Sequence, residues 1–597
     1  MSSLPIDYMA SLHKVAVFST LPIEAITAMA KMAQAQRLIS GERLYRVGDP
    51  PRFLHILIHG RLQIRKEERV EGYINRYELL GEMGVIAAEA RRSTVFALRD
   101  CLLLNLPASA FMALIRDYPD TLVALTRLII LRGRDAPHTQ LQQANAAGGT
   151  LAVVPAIRDV PAMLLAEALT GHMSGWPETR VVSAAHVDSV FGDGFSRTPQ
   201  DGSDADAKLC AWLASLELQH RFIMYVADNG TDTWSLRCLR QADRILLVAE
   251  SGQKPRSTPV LETLREGGLV APVELVLLRP IGDAAPHTLD WLDATGARAH
   301  YFIHPWAKPE IAALARQISG RGIGLVLGGG GARGLAHIGL IKALEQLGIP
   351  VDVVGGTSMG GFVAAMLACG FDSTEMIHIA HETFVAKNYL NDYTLPKVSL
   401  IRGERFHNRL NTIFGERRIE ELRRTFYCIS TNLTTGMPGV HDRGPLGSWV
   451  GTSMCVPGVA PPIAFEGDLL CDGGVVNNLP TDVMAQLERG IIIACNVAAL
   501  GDMAAPGAGM DAPDQGALLN WQSEGEPPSL SEILMRTATL TSDTVTLQAS
   551  IDRADIYLRM PIDDIGMFDW LRMDELVKRG YENGLEVLTP LREKLLR

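Results

Sequence analysis

Gly356-Thr-Ser-Met-Gly360 has the residue types that a nucleophilic serine needs. In a G-x-S-x-G turn the chain passes from strand to helix at the serine, which lifts the hydroxyl to the carboxyl edge of a sheet, and the two glycines leave room for so tight an elbow. The following helix is expected over Met359–Cys369, with Gly370 where a glycine ends a helix. A second glycine-rich turn lies upstream. There Ile323-Gly-Leu-Val-Leu-Gly-Gly-Gly-Gly-Ala-Arg-Gly334 leads an apolar strand into a helix spanning about Leu335 to Leu347. Bare N–H groups at a helix N-terminus form an anion-binding concavity. Taken alone, this loop fits three things: a dinucleotide pyrophosphate, because Gly329, Gly331 and Gly334 satisfy G-x-G-x-x-G; the oxyanion of an attacked acyl carbon; or a structural turn. The serine elbow after the next strand, Val351–Val354, favours the oxyanion.

A serine also needs a base. His337, His378, His381, His407 and His441 are near in sequence, yet none has a triad context, and His337 reads as a residue of a helix face. Asp472 is the better candidate. In Leu469-Leu-Cys-Asp-Gly-Gly-Val-Val-Asn-Asn-Leu-Pro480 it ends an apolar run, and two glycines let another backbone come close. An isolated Asp-Gly-Gly is by default a turn, so residue types alone leave the base open.

The three motifs in this order, Gly-Gly-Gly-x-Arg-Gly, Gly-x-Ser-x-Gly and Asp-Gly-Gly, resemble those of the patatin-like phospholipases. The resemblance implies a Ser–Asp dyad without histidine: Ser358 as nucleophile, Asp472 as base, and an oxyanion hole from the N–H groups around Gly329, Gly330 and Gly331. Arg333 stands at the family's arginine position, and Gly334, Gly356, Gly360, Gly473 and Gly474 complete the motifs. Gly328 stands where many members carry aspartate. The implied reaction is acyl transfer from an ester to Ser358 and then to water, with no metal and no catalytic cofactor.

Such motifs need a sheet beneath them, and the chain supplies one from Gly322 onward. Val353–Phe371, 19 residues without a charge, has the length of a membrane span, but its five glycines and Thr357–Ser358 make it a strand, a turn and a helix. Upstream, Leu151–Ala156, Arg180–Ala184, Phe222–Ala227 and Arg244–Ala249 are apolar strand-type runs with helical spacings between them. They predict a middle α/β unit, which lacks a G-x-x-x-x-G-K-[ST] phosphate loop. The N-terminal part is predicted as a small β-barrel closed by a helix. His55–Arg65 alternates about Gly60 like a hairpin, and Ser93–Leu98 and Cys101–Leu106 are strand-like. Ala108–Leu131 sets Phe111, Leu114, Ile115, Leu122, Leu125 and Ile129 near one helical stripe. The expected multidomain organisation is a barrel at 1–134, a polar linker at 135–150, a middle α/β domain at 151–320 and a patatin-like catalytic α/β domain at 321–597. A mobile loop rich in Gly, Ala, Pro and Asp is expected near 500–528.

In the barrel, the segment from Gly81-Glu-Met-Gly to Arg91-Arg-Ser-Thr-Val95 resembles the phosphate-binding cassette of cyclic nucleotide-binding domains. The resemblance implies a nucleotide site of Gly81, Glu82, Arg91, Ser93 and Thr94, with Glu82 accepting the ribose 2′-OH and Arg91 with the Ser93 and Thr94 hydroxyls holding the cyclic phosphate of a regulatory cAMP or cGMP. Gly84, Ala90 and Arg92 depart from it. In the middle unit, Trp212, Glu217, His220-Arg221, Ala227-Asp228 and Trp234-x-x-Arg-Cys-x-Arg-Gln-Ala-Asp243 look like the central region of neuropathy target esterase and its bacterial relatives. That family acts on phospholipids and especially lysophospholipids, so a lysophospholipid or phospholipid substrate is implied. The alternative is a catalytically silent lipid-binding or cyclic-nucleotide-responsive signalling module.

Composition narrows the setting. The 597 residues carry a net charge of −11, which argues against nucleic acid as partner of a globally basic surface. Eight scattered cysteines without a C-x-x-C pair suit a reducing cytoplasm, and Met1–Lys14 has neither the basic nor the apolar region of a signal peptide. Phe384–Leu400 and Gly447–Phe465 are expected to give an acyl chain its apolar approach. Residues 402–424, with seven arginines against four glutamates, read either as a solvated helix face or as a peripheral contact for anionic headgroups at the inner membrane surface.

Overall fold

The structure, a computed structural model, describes residues 8–596 except 20, 67–68, 135–147, 158–159, 174–178, 229, 267–269, 280–284, 305–306, 499–532 and several positions between 534 and 545. The chain divides into two compact units, Met1–Gly320 and Arg321–Arg597.

After two helices, Tyr8–His13 and Ile23–Met32, the first unit has eight strands: β1 (Gln34–Leu38), β2 (Arg43–Tyr45), β3 (Phe53–His59), β4 (Leu62–Lys66), β5 (Arg69–Ile74), β6 (Leu79–Leu80), β7 (Thr94–Ala97) and β8 (Cys101–Pro107). They form two antiparallel sheets, ordered β1-β8-β3-β6 and β2-β7-β4-β5, which share a core of Leu38, Leu57, Leu62, Ile74, Val95 and Leu103. The expected hairpin across Gly60 does not form. β3 pairs with β8 and β6, whereas β4 pairs with β5 and β7, so Gly60, at φ +97°, carries the chain from one sheet to the other. The outer face of β3 is covered as well, since Leu54, Ile56 and Ile58 pack with Phe111 and Leu114 of the following helix. The single helix expected over 108–131 is two, Ala108–Asp117 and Asp120–Arg134. Pro119 lies at the break, having no N–H to continue the first helix. As a result Leu122 faces solvent, while Phe111, Leu114, Ile115 and Leu125 are buried.

β9 (Gly149–Pro155), β10 (Thr179–Val182), β11 (Phe222–Val226), β12 (Arg244–Glu250), β13 (Val273–Leu278) and β14 (Ala299–Ile303) form a parallel sheet ordered β10-β11-β9-β12-β13-β14. Positions 135–147 of the expected linker lie outside the described residues, and Gly149 and Thr150 already belong to β9. β13 interrupts its apolar run with one polar residue, Glu274, and β14 includes His300 and Tyr301. Glu274 is buried and takes Arg298 Nη2 at 2.8 Å and Tyr301 Oη at 2.9 Å, so its charge is paired. Barrel and middle sheet are pinned within this unit by Arg99, which meets Glu217 at 2.7 Å and Asp243 at 3.0 Å with all three buried or nearly so.

The second unit is one mixed sheet: β15 (Gly322–Leu327), β16 (Val353–Thr357), β17 (Thr425–Asn432), β18 (Pro438–His441), β19 (Ile463–Phe465), β20 (Asp468–Asp472), β21 (Gly490–Asn496) and β22 (Ile556–Arg559). Its order is β19-β20-β17-β16-β15-β21-β22, with β18 on β17. β15, β16, β17, β21 and β22 are parallel, and β18, β19 and β20 add an antiparallel edge. The uncharged stretch 353–371 is β16, the elbow and the helix Met359–Cys369, whose residues 359–368 are all buried. Among the described residues no helix is long and apolar enough to cross a membrane. The loop expected near 500–528 lies outside the described residues.

Candidate active site

β16 ends at Thr357, and Ser358 follows at φ +54° before the helix begins. A side chain in that region carries a steric cost of about 1–2 kcal/mol, so neighbours must hold it there. A Cβ on Gly360 would stand 2.1 Å from the carbonyl oxygen of Leu327, and one on Gly356 would stand 2.6 Å from the same atom. Glycine at both positions therefore lets β15 lie directly against the elbow. Ser358 N–H donates to Ser453 Oγ at 2.9 Å, and Thr357 Oγ1–H donates to the carbonyl of Asn477 at 2.9 Å.

Held this way, Ser358 Oγ–H donates to Asp472 Oδ2 at 2.6 Å. Asp472 ends β20 opposite Ser430 of β17, and the next residue, Gly473, lies so near the Ile429 carbonyl that a Cβ would sit 2.4 Å from it. The carboxylate is fully buried. Burial pushes its pKa up to about 6, against the downward pull of the hydrogen bonds from Ser358 and from Gly474 N–H, the latter at 2.7 Å. A carboxylate of that pKa is ionised at neutral pH yet basic enough to take a proton.

Among the described residues no histidine bonds to Ser358 or Asp472. His337 is buried; its ring bridges the Gly328 carbonyl at 2.8 Å and Cys495 Sγ at 3.2 Å, and burial lowers its pKa to about 4, which keeps it neutral. It lies on the buried face of the helix Ala336–Leu347, where it acts as a peg under the glycine loop. His441 bonds Ser430 Oγ at 2.7 Å and stacks on Trp449.

The three glycines have different tasks. Gly329 is clasped by Asn478, whose Oδ1 accepts its N–H at 3.2 Å and whose Nδ2 donates to its carbonyl at 3.2 Å. Gly330 and Gly331 N–H make no hydrogen bond to any described residue, and Gly331, at φ +58°, lines the same cavity as Ser358. Arg333 is buried and donates Nε–H to the Ile565 carbonyl at 2.6 Å, which braces the loop from behind. Gly334 leaves room for Met359, which a Cβ there would overlap. Asn478 and Ser453 were not singled out from sequence. The Asn477–Asn478 pair after Asp-Gly-Gly is a signal in hindsight, whereas nothing local marks Ser453.

Ser358 opens into a cavity of about 600 Å³ lined by Leu390, Phe406, Leu410, Met454, Val459, Ile463, Phe568 and Trp570. Both segments expected to serve an acyl chain contribute to it, although Phe384 itself is buried in the core against Trp570. The arginines of 402–424 are largely spent on the fold. Arg409 is buried on Glu382 at 2.7 Å, Arg418 meets Glu420 at 2.6 Å, Arg417 caps the Phe414 carbonyl, and Arg424 donates to the carbonyls of Val351 and Leu367.

In the barrel, Gly81 at φ +87° starts the short helix Glu82–Ala87, and Glu82 is buried. Arg91 is buried too, donating to the carbonyls of Gly81 at 2.8 Å and Phe53 at 2.6 Å while lying over the Tyr45 ring. Thr94 Oγ1 accepts Val47 N–H at 3.3 Å, and Ser93 is half-buried. Arg91 thus meets Gly81 and the barrel wall, and it makes no hydrogen bond to the hydroxyl of Ser93 or Thr94.

Three family models match successive segments of the chain. A cyclic nucleotide-binding domain matches residues 35–118, the Neuropathy Target Esterase family P-loop like domain matches 148–317, and patatin-like phospholipase matches 325–485, which contains Ser358 and Asp472. Lysophospholipase NTE1 of Pyricularia oryzae is 30% identical across 93% of this chain and 42% of its own length. Patatin-like phospholipase domain-containing protein 7 of Mus musculus is 30% identical across 92% of this chain and 44% of its own. The chain spans less than half the length of these curated relatives. Its serine elbow, glycine loop and Asp-Gly-Gly turn fall within the segment that matches patatin-like phospholipase, which follows in the chain a segment matching the Neuropathy Target Esterase family P-loop like domain and one matching a cyclic nucleotide-binding domain.

Proposed function

We propose that the chain is a serine lipid acyl hydrolase acting on lysophospholipids or phospholipids through Ser358 and Asp472. The carrying observation is the 2.6 Å bond between a strained serine at a helix N-terminus and a buried carboxylate at an apolar cavity. Asp472 accepts the Ser358 proton as Oγ attacks the ester carbonyl carbon, and the oxygen, gaining negative charge, takes the open N–H groups of Gly330 and Gly331. Collapse expels the alcohol, which leaves with the proton from Asp472. Asp472 then deprotonates the water that attacks the acyl-enzyme and passes that proton to Ser358 Oγ as it leaves, which releases the fatty acid and restores the dyad. A hydrocarbon chain fits the apolar lining. The names of the relatives, lysophospholipase and patatin-like phospholipase, support this substrate class.

The full chain is expected to label with a fluorophosphonate at Ser358, read by peptide mass mapping, and to release fatty acid from lysophosphatidylcholine. A folded protein that does neither would favour the silent lipid-binding module instead.

For the barrel, a cyclic nucleotide is the regulatory ligand that its domain family suggests. Arg91 Nη1 and Nη2 hold the carbonyls of Gly81 and Phe53, whereas its buried Nε–H has no hydrogen-bond partner among the described residues and is a donor left for a phosphate. Calorimetry with cAMP and cGMP is expected to show heat that Arg91→Ala removes; no heat at millimolar ligand would retire the claim.

A further inference from the structure

Five large apolar side chains among the described residues are more than two-thirds exposed: Leu571 at 86%, Leu395 at 82%, Tyr393 at 74%, Val398 at 69% and Ile23 at 68%. Four of the five are close in the chain to residues that line one cavity. Tyr393, Leu395 and Val398 fall between Leu390 and Ile401, and Leu571 follows Phe568 and Trp570; those four flanking residues line the cavity that contains Ser358. Phe568 and Ile463 add exposed apolar surface of their own from two of the lining segments.

The loop that carries Leu395 and Val398 is fastened by its backbone. Thr394 N–H donates to the Leu400 carbonyl at 2.9 Å, Arg402 N–H to Asp392 at 2.9 Å, Leu400 N–H to Gly458 at 3.0 Å and Ile401 N–H to Val459 at 3.0 Å. Leu395 and Val398 are therefore held out in water by a braced turn. Exposed apolar side chains concentrated at one place mark an interaction site, whereas single scattered ones do not. The character of the neighbours selects the partner: the patch runs into an apolar cavity, and Lys397 and Arg402 stand exposed on the same loop, where phosphate headgroups would meet them.

We infer that the rim formed by Tyr393, Leu395, Val398, Phe568 and Leu571 is a lipid-docking face, which enters the surface of a bilayer or micelle so that an acyl chain passes into the cavity without crossing water. The inference rests on the reading of the Ser358 site as a lipid hydrolase and names the surface through which that site is supplied. It also replaces the arginine run of 402–424 as the main contact, leaving Arg402 as a flanking charge.

The test uses the full chain carrying Ser358→Ala, so that binding is read without turnover, and compares it with the same chain carrying Leu395→Asp, Val398→Asp and Leu571→Asp in addition. Flotation with phosphatidylcholine vesicles is expected to show a bound fraction that falls by at least about tenfold in the triple variant. Thermal unfolding checks the fold, and Leu571→Asp alone serves if the triple variant unfolds early. In the active background, turnover of lysophosphatidylcholine micelles is expected to fall while that of soluble p-nitrophenyl butyrate stays within about twofold, since none of the three side chains lines the cavity. Equal flotation of parent and variant overturns the inference. So does flotation of the parent only on anionic vesicles, or a parent that ignores vesicles and instead self-associates through this face. Because flotation does not depend on chemistry, absence of hydrolysis would sink the proposed reaction and leave the docking result standing.

Discussion

Asp472→Asn is expected to give a protein without measurable lipid hydrolysis that nevertheless unfolds at a higher temperature than the parent at pH 8. Burial raises the Asp472 pKa from 3.8 to about 6 in the folded chain, so the native state holds this proton over a window in which the unfolded chain has lost it. The associated stability is fully present below the unfolded value near 4 and is lost as pH rises through 6. At pH 8 the charged carboxylate therefore costs on the order of 3 kcal/mol, at about 1.4 kcal/mol per pKa unit. Asparagine removes the charge but keeps only one acceptor for two donors, Ser358 Oγ–H and Gly474 N–H, so a net gain of about 1–2 kcal/mol remains. At pH 4 the gain should vanish, because aspartate is then neutral as well. Activity goes the other way. Loss of the base should lower kcat/KM by about 10³-fold or more, and the parent's own kcat/KM should fall about tenfold per unit below pH 6. Melting curves at pH 4 and 8 with a pH–rate profile check both halves; a variant less stable at pH 8 would mean that the carboxylate is there to hold the turn.

Ser358→Ala is expected to be equally inactive and to shift stability in the opposite direction. Removing Oγ abolishes acyl-enzyme formation, with turnover down by about 10⁴-fold or more and fluorophosphonate labelling lost. It also strips the buried Asp472 carboxylate of its shortest hydrogen bond, a contact to a charged group worth about 1.5–3 kcal/mol. Alanine at φ +54° recovers no backbone strain. The variant should therefore melt lower than the parent at pH 8 and approach it at pH 4, where the carboxylate is protonated. Two inactive variants with melting shifts of opposite sign would tie the cost of the buried charge to the serine it faces. Residual turnover of lysophospholipid by Ser358→Ala would remove the serine from the reaction.

How far the structure could be read from residue order depends on how local each determinant is. Ser358, its framing glycines and the helix to Gly370 lie within one strand–turn–helix, so spacing exposes them. The barrel shows the limit. Ile56, Ile58, Leu62 and Ile64 alternate as a hairpin would, yet alternation reports only which faces are buried, and Gly60 takes β4 to a different sheet. Likewise the arginines of 402–424 look like a solvated stripe until Glu382, Glu420 and several carbonyls, some of them distant in the chain, are found to occupy them.

The sequence alone determined the order of the three motifs, the residue types able to attack and to take a proton, and the absence of a phosphate loop between residues 151 and 320, since each of these is a matter of neighbours along the chain. Only the tertiary structure decided which glycine N–H groups stay open. Asn478, 149 positions from Gly329, reaches back to clasp it, and Ser453, 95 positions from Ser358, takes the nucleophile's N–H. Tertiary structure also set the basicity of Asp472. A carboxylate's proton affinity depends on how completely other segments exclude water from it, and here β17, β20 and the elbow meet around it to shut water out.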